Sequence, residues 1–250
     1  MPENSPDLIL VQAPSQDQAK ALAHRQFAHL RLHTEFSIND GLVTIKPLIS
    51  RLRELDMPAA AVTDQANMFA LIKFYSGASN AGIKPLCGCD LLVADGEQGR
   101  LTRLLLLAID NVGYLNLTNL VSDLYTENQG TGGLVLPKTS LQGRCEGLIG
   151  LSGAQHSDIG MALLAGETEI ADRLLQHWRH LFADNFYLEL QRVGRPEEEQ
   201  YIEAALALAQ RAACPVVATN DVRFIHQKDY EAHEVRVCIN ERRTLDDPRR

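Results

Sequence analysis

Short apolar runs alternate along the chain with segments whose apolar residues recur at helical spacing. The runs predicted as strands are FAHLRLH, PAAAVTD, KPLCGCDLLVA, RLTRLLLLAID, EGLIGLSG, NFYLELQ and CPVVATND. Gly, Pro, Asn or Asp bound these runs, as is usual for strands. Near-continuous apolar runs such as LLLLA and PVVAT favour parallel strands that are covered on both faces.

Amphipathic helices are predicted between the strands. In TIKPLISRLRELD the apolar residues stand at positions 45, 48, 49, 52 and 55, which is the spacing of one helical face. NVGYLNLTNLVSDLY repeats the pattern, and PEEEQYIEAALALAQRA begins with a proline and three glutamates, which suit a helix N-terminus. About seven strand–helix units predict a parallel α/β protein, either an open doubly wound sheet or a barrel.

Polar residues at the ends of several strands favour the barrel, because a barrel site draws on every strand. The sequence contains neither the G-x-G-x-x-G fingerprint of dinucleotide-binding open sheets nor a phosphate loop ending in G-K-[ST]. We therefore expect a β/α barrel with its site at the carboxyl ends of the strands.

Residues 1–26 are interpreted as an N-terminal extension that precedes the domain. This segment is mostly polar, with one apolar run (LILV), and lacks the features of a secretion signal. The longest apolar run elsewhere, LLLLAI, is shorter than the ~20 residues that cross a bilayer. Five scattered cysteines suggest reduced thiols, so we expect a cytoplasmic protein. The net charge of the whole chain, −8, argues against DNA binding by the chain itself.

The first strand places His29, Arg31 and His33 on one face, because alternate residues of a strand share a face. Two imidazoles suit a metal ion, but a guanidinium between them repels one. Further polar residues stand at other strand ends. The candidate site consists of Arg31, His33, Asp64, Gln65, Asp90, Arg103, Asp221 and Arg223.

Three arginines are unsuitable for a hydrolytic metal cluster, which requires carboxylates and neutral imidazoles. Arginine stays protonated and offers no lone pair. The set instead predicts a pocket in which guanidinium groups neutralise carboxylates by bidentate hydrogen bonds. Each residue alone has a simpler interpretation: an Asp that ends a strand is often a helix cap, and a single Arg usually lies on the surface.

Several long motifs give the chain a family resemblance. HLRLHTEFSINDGL, MPAAAVTDQANMFALIKFY, AGIKPLCGCD, LLLLAIDNVGYLNL, LSGAQHSDIG, FYLELQRVGRP and VVATNDVRF…AHEVRVCI resemble the polymerase-and-histidinol-phosphatase (PHP) domain, in the form that opens bacterial DNA polymerase III alpha subunits. The resemblance covers residues 27–250 and implies a distorted (β/α)7 barrel. It implies a PHP domain over 27–240 and, over 241–250, the start of a linker to the polymerase core.

In metal-binding PHP domains nine residues hold the ions, and the resemblance implies that most are lost here. In chain order the nine positions are Arg31 for His, His33 retained, Asp64 retained, Gln65 for His, Asp90 for Glu, Arg103 for His, Ala154 for Cys, Asp221 retained and Arg223 for His. His156 is interpreted as a surface-loop histidine rather than a replacement ligand. The resemblance thus implies a vestigial pocket without metal or other cofactor.

The resemblance implies a non-catalytic scaffold that supports the polymerase core and docks the proofreading exonuclease (epsilon) subunit. The parent chain would be a DNA-directed DNA polymerase, a nucleotidyltransferase that uses Mg and contacts DNA and the other holoenzyme subunits. The first alternative is an active metal-dependent phosphoesterase, a 3′→5′ exonuclease or a pyrophosphatase, with His33, Asp64, Asp90 and Asp221 around one ion. The second alternative is a free-standing barrel unrelated to replication.

Overall fold

The computed structural model describes residues 27–96, 99–127, 129–130 and 133–247 of the 250-residue chain. The predicted extension, 1–26, lies outside the described residues, as do the last three residues of the predicted linker. The domain boundaries therefore remain predictions.

Strands and helices alternate along most of the described chain. The strands are β1 (Ala59–Val62), β2 (Lys84–Ala94), β3 (Thr102–Ala108), β4 (Gln129–Gly130), β5 (Gly133–Leu134), β6 (Leu136–Pro137), β7 (Leu148–Leu151), β8 (Phe186–Gln191) and β9 (Val216–Thr219). The helices are α1 (Ile45–Glu54), α2 (Leu71–Asn80), α3 (Asn111–Thr126), α4 (Asp158–Leu164), α5 (Thr168–Phe182), α6 (Glu198–Ala212) and α7 (Tyr230–Glu241). Helix α1 buries Leu48 and Leu52, two residues of its predicted apolar face.

One sheet curls into the predicted distorted barrel. Its strand order is β1-β2-β3-β7-β8-β9, and β6 pairs with β2. Residues 29–34 form no regular strand, but they hydrogen bond on both sides. Ala61 N in β1 donates to His29 O at 2.7 Å, and His33 N donates to Val222 O, just past β9, at 2.9 Å. Because this segment bridges the first strand and the chain after the last one, it closes the sheet.

The prediction of a wholly parallel sheet is wrong at β3, which is antiparallel to both neighbours, β2 and β7. Residues 95–101 join β2 to β3, whereas a parallel crossover takes roughly a dozen residues or more. The reversal has a consequence for the site. The start of β3, with Arg103, lies at the end of the barrel where β2 and β8 finish.

The barrel has an inner face and an outer face, and β3 illustrates both. Leu105 and Leu107 belong to a small inner cluster with residues of β1 and β7. Leu104 and Leu106 belong to the large outer core between the sheet and the helices. The alternation leaves Arg103 on the inner face, in line with Leu105.

No helix among the described residues combines the length and apolar character needed to span a membrane. All five cysteines carry free thiols, as the sequence suggested.

Candidate functional site

Six predicted residues meet at one end of the barrel. Arg31 and His33 come from the segment that closes the sheet, Asp90 from β2 and Arg103 from the start of β3. Asp221 and Arg223 follow β9. They form an "arginine network", in which ion pairs connect Arg31, Arg103, Arg195 and Arg223 to Asp40, Asp90, Glu189 and Asp221, with His33 among them.

Arg31 lies at the centre of the network and is 1% exposed. Its Nε and Nη2 donate to the two carboxylate oxygens of Glu189, each at 2.8 Å, in a bidentate pair. Its Nη1 donates to Oδ2 of Asp90. Burial alone would lower the pKa of Arg31, but the charges of Asp90 and Glu189 outweigh burial and raise that pKa. Arg31 is therefore a fixed cation inside the barrel.

Asp90 is 2% exposed, and one of its carboxylate oxygens, Oδ2, contacts three side-chain nitrogen atoms. Its Oδ2 accepts from Arg31 and from Nη1 of Arg103 at 3.1 Å, and it lies 3.1 Å from Nε2 of His33. Burial would raise the pKa of Asp90, but the charges of Arg31 and Arg103 hold this pKa well below its usual value. Asp90 is thus an ionised carboxylate paired with protein cations.

His33 is fully buried, and both of its ring nitrogens face carboxylates. Nδ1 lies 2.9 Å from Oδ1 of Asp40, and Nε2 faces Asp90. Arg223 contacts both Nδ1 of His33 and Oδ2 of Asp40. Burial opposes ionisation of Asp40, but the hydrogen bond to His33 and the charge of Arg223 lower its pKa. Neither nitrogen of His33 is directed at open space.

Asp221 has two guanidinium partners. Nη2 of Arg223 lies 2.7 Å from its Oδ1, and Nη2 of Arg195 donates to its Oδ2. Burial would raise the pKa of Asp221, but Arg223, Arg31 and Arg195 lower it below the ordinary range. The side chain of Arg195 is 34% exposed, so it forms part of the network's outer surface.

Asp64, Gln65 and Ala154 lie beside the network without joining its ion pairs. Asp64 is 1% exposed and accepts three hydrogen bonds from the turn that follows the first segment: from Thr34 N at 2.6 Å, Thr34 Oγ1 at 2.7 Å and Ser37 Oγ at 2.7 Å. The backbone of Gln65 forms an isolated parallel β-bridge with the backbone of Asp90. Ala154 is buried and presents only a methyl group.

Sequence reasoning missed three members of the network: Asp40, Glu189 and Arg195. Glu189 gave the clearest signal in the sequence, because it is a charged residue in the otherwise mostly apolar strand FYLELQ. Besides Arg31, it accepts from Gly153 N at 3.1 Å. Asp40 and Arg195 lie outside the helices and strands, where periodicity carries no information.

The interpretation of His156 as a surface-loop residue is wrong in one respect. His156 ends a short 3-10 turn, but it is half-buried and faces the network. Burial, helped by the charges of Arg195 and Arg103, lowers the pKa of His156 to about 4. The ring is therefore neutral at pH 7, and adding a proton beside these arginines is unfavourable.

The donor chemistry of the network does not suit a metal cluster. Four guanidinium groups balance four carboxylates, so the site is filled with cations before any ion enters. Within the described ranges, no three His, Cys, Asp or Glu side chains are grouped as a metal site. Arginine has no lone pair to donate to a metal ion, so the arginine positions cannot serve as ligands.

A closed, distorted α/β barrel with a polar site at the strand ends defines the class of this protein. Two solved structures share this fold. An amidohydrolase from Chromobacterium violaceum, solved with bound sulfate and no metal, has a TM-score of 0.54, 13% identity, and coverage of 84% of this chain and 96% of the other. A two-domain Bacteroides vulgatus protein with a predicted PHP-like metal-dependent phosphoesterase has a TM-score of 0.51, 12% identity, and coverage of 83% and 55%.

The PHP domain model matches residues 29–193, and the chain belongs to the PHP domain family. The chain is also similar to the N-terminal region of proteobacterial DNA polymerase III alpha subunits. It is 54% identical to that of Pseudomonas aeruginosa over 225 residues and 44% identical to that of Escherichia coli K12 over 230 residues. These alignments cover 90% and 92% of the chain but 19% and 20% of the relatives, so the chain spans about a fifth of their length.

Proposed function

We propose that this chain is a scaffold domain of a DNA polymerase III alpha subunit in which a metal-free arginine network replaces the metal cluster of active PHP domains. The observation that carries the proposal is the position of Arg31. Its guanidinium lies between Asp90 and Glu189 and hydrogen bonds to both. A fixed cation in this place does the electrostatic work of a metal ion but cannot activate water.

The parent chain, by this proposal, is the replicative polymerase, and its Mg-dependent nucleotidyl transfer takes place outside residues 27–240. The similarity to alpha subunits over 90% of the chain supports this proposal. The domain would support the polymerase core and dock the proofreading exonuclease subunit in the cytoplasm. Its net charge of −8 suits protein docking better than DNA binding, so DNA and other holoenzyme subunits would be bound elsewhere in the parent chain.

Metal analysis tests the scaffold function. The full-length protein, purified without chelator, should contain far less than one equivalent of Mn, Zn or Fe per chain. It should also show no phosphatase or pyrophosphatase turnover with added Mn. The proposal fails if metal is stoichiometric and Asp221→Asn abolishes turnover. The matched control is Asp172→Asn, which removes a carboxylate from the distant exposed pair with Arg211.

Docking of the exonuclease requires its own test. Chemical cross-linking of the full-length parent chain with the purified exonuclease subunit should give cross-links to lysines within residues 27–240. Cross-links found only outside this range would contradict the docking role and leave the metal-free site unaffected.

One observation favours a residual phosphoesterase. Oδ1 of Asp90 is buried and accepts no hydrogen bond from the described residues, so it has a lone pair for an ion or a water. His33, Asp64 and Asp221 would be the companion ligands, but each is already engaged by other groups. Turnover in Mn that survives Asp172→Asn and is lost in Asp90→Asn would establish this alternative.

A further inference from the structure

The end of the barrel opposite the arginine network contains an apolar cavity of about 760 Å³. It lies beside the start of β2 and the end of β3, whereas the network lies beside the opposite ends of these strands. The interiors of β/α barrels are normally filled by side chains, so an open apolar space here is unusual. Inward side chains of five strands line it: Leu86, Leu107, Ile149, Leu151, Tyr187 and Val217.

The apolar packing is incomplete at this end of the barrel. Leu107 and Leu151 are buried, but Leu86, Ile149 and Tyr187 line the cavity and remain half-buried. A ligand with an apolar body would cover these side chains, and each methylene that it buries improves affinity by about fourfold. The volume also falls within the range of small-molecule pockets, roughly 300–1,000 Å³.

Polar side chains lie at the mouth of the cavity, where Ser76, Lys84, Asp110 and Asn111 are exposed. Asp110 already has a role, because its Oδ1 accepts from Gly113 N at 2.9 Å and caps α3. The positive end of the helix offsets the charge of this carboxylate. The side chain of Lys84 forms neither an ion pair nor a hydrogen bond with the described residues. The mouth therefore offers a cation that has no partner among them.

We propose that this cavity binds an amphipathic carboxylate, with its apolar tail inside the barrel and its anionic head beside Lys84. The tail would cover the half-buried side chains of the inner face, and the head would meet the unpaired ammonium group while staying in contact with water. This inference does not rest on the proposed scaffold function, because the cavity and the arginine network lie at opposite ends of the barrel.

Tail burial is tested with dodecanoate below its micelle concentration. The full-length protein should bind one equivalent in isothermal titration calorimetry, and octanoate, with four fewer methylenes, should bind at least about tenfold more weakly. Ile149→Trp, which fills the cavity, should weaken dodecanoate binding by a similar factor. The control is Leu206→Trp, which enlarges an exposed side chain on α6 and should leave the affinity unchanged.

The position of the head is tested at Lys84. Lys84→Gln should weaken dodecanoate by about threefold, as expected for an exposed ion pair, but should leave the affinity for the uncharged dodecanol unchanged. Lys46→Gln, at an exposed lysine of α1, is the matched control and should change neither affinity. Equal weakening of both ligands by Lys84→Gln, or of neither, would overturn the assignment of the head.

Cys87 reports on the site without any substitution, because its half-buried thiol lines the cavity while the other four cysteines are buried. Dodecanoate at ten times its Kd should slow the modification of Cys87 by iodoacetamide about tenfold, since only unliganded protein would react. Mass spectrometry measures the rate. The proposal is overturned if dodecanoate does not bind, if it binds without protecting Cys87, or if folded Ile149→Trp binds it as tightly as the wild type.

Discussion

Buried carboxylates at the barrel mouth are stabilised in two different ways. Asp90 and Glu189 pair with the guanidinium of Arg31. Asp64, just after β1, accepts hydrogen bonds from uncharged groups of Thr34 and Ser37. The first solution uses a protein cation and the second uses N–H and O–H dipoles.

The difference shows which partner should be harder to remove. A buried charge is tolerated only when it is paired or fully hydrogen bonded. Removing the Arg31 guanidinium leaves Glu189 without its ion-pair partner and leaves Asp90 paired with Arg103 alone among the arginines. Removing the hydroxyl of either Thr34 or Ser37 leaves Asp64 with two hydrogen-bond donors. We therefore expect the stability of the protein to depend more on the arginines than on the turn around Asp64.

The largest effect is expected for Arg31→Ala. Truncation should lower the free energy of unfolding by ~3–5 kcal/mol, because it leaves the buried carboxylate of Glu189 without its ion-pair partner and removes one of the two arginines that contact Asp90. Urea denaturation at pH 7 measures the change. Arg192→Ala, at an exposed pair with Glu199, is the control and should change stability by less than ~1 kcal/mol. If both variants unfold at the wild-type urea concentration, the carboxylates do not depend on Arg31.

A smaller effect is expected for Asp64→Asn. The amide keeps one acceptor oxygen, but its NH₂ group faces the N–H and O–H donors of Thr34 and Ser37. We expect a loss of ~1–3 kcal/mol, measured by the same denaturation. A loss larger than that of Arg31→Ala would reverse the ranking of the two groups.

The next largest effect on stability is expected when the pH is lowered, because acid weakens the ion pairs of the network. The pKa values of Asp40, Asp90 and Asp221 are lowered in the folded protein, so the unfolded chain binds protons first as pH falls. The stabilisation is therefore present above the unfolded pKa of about 3.9 and is lost as pH falls through the lower folded values. Urea denaturation between pH 6 and pH 2 should show this loss. Asp221→Asn should reduce the slope, and an unchanged slope would count against its role.

The smallest effect is expected for His156→Gln at pH 7, because the imidazole is already neutral there. The lowered pKa of His156, about 4, makes it a source of stability above the unfolded pKa of about 6.5. That contribution is lost as pH falls toward 4, so the variant should become relatively more stable across this window. NMR titration of the ring should give a midpoint near 4, and a midpoint near 6.5 would place His156 away from the arginines.

The sequence predicted much of the fold because apolar runs and helical spacing are local signals. The strand KPLCGCDLLVA matches β2 residue for residue. The direction of β3 could not be deduced from its composition, since LLLLA fits a buried strand of either direction. The short connection 95–101 was the available signal.

The sequence indicated those site residues whose charge interrupts or closely follows an apolar strand, as for Asp90 within β2 and Asp221 after β9. The sequence did not indicate the partners that come from loops. Asp40 and Arg195 are recognised as site residues only by their ion pairs with Arg223 and Asp221, which are distant in the sequence. Asp64 shows the converse error, since its position at a strand end placed it in the set while its hydrogen bonds point to the adjacent turn.

The register of the antiparallel strand β3 against β2 determines which side chains of β3 face the arginine network. Arg103 shares its face with Leu105 and Leu107, while Leu104 and Leu106 face the helices. Sliding β3 by a single position against β2 would exchange the two faces. The guanidinium of Arg103 would then lie in the apolar core between the sheet and the helices, and a leucine would face Asp90. Related proteins whose β3 differs in register should therefore differ by an even number of residues.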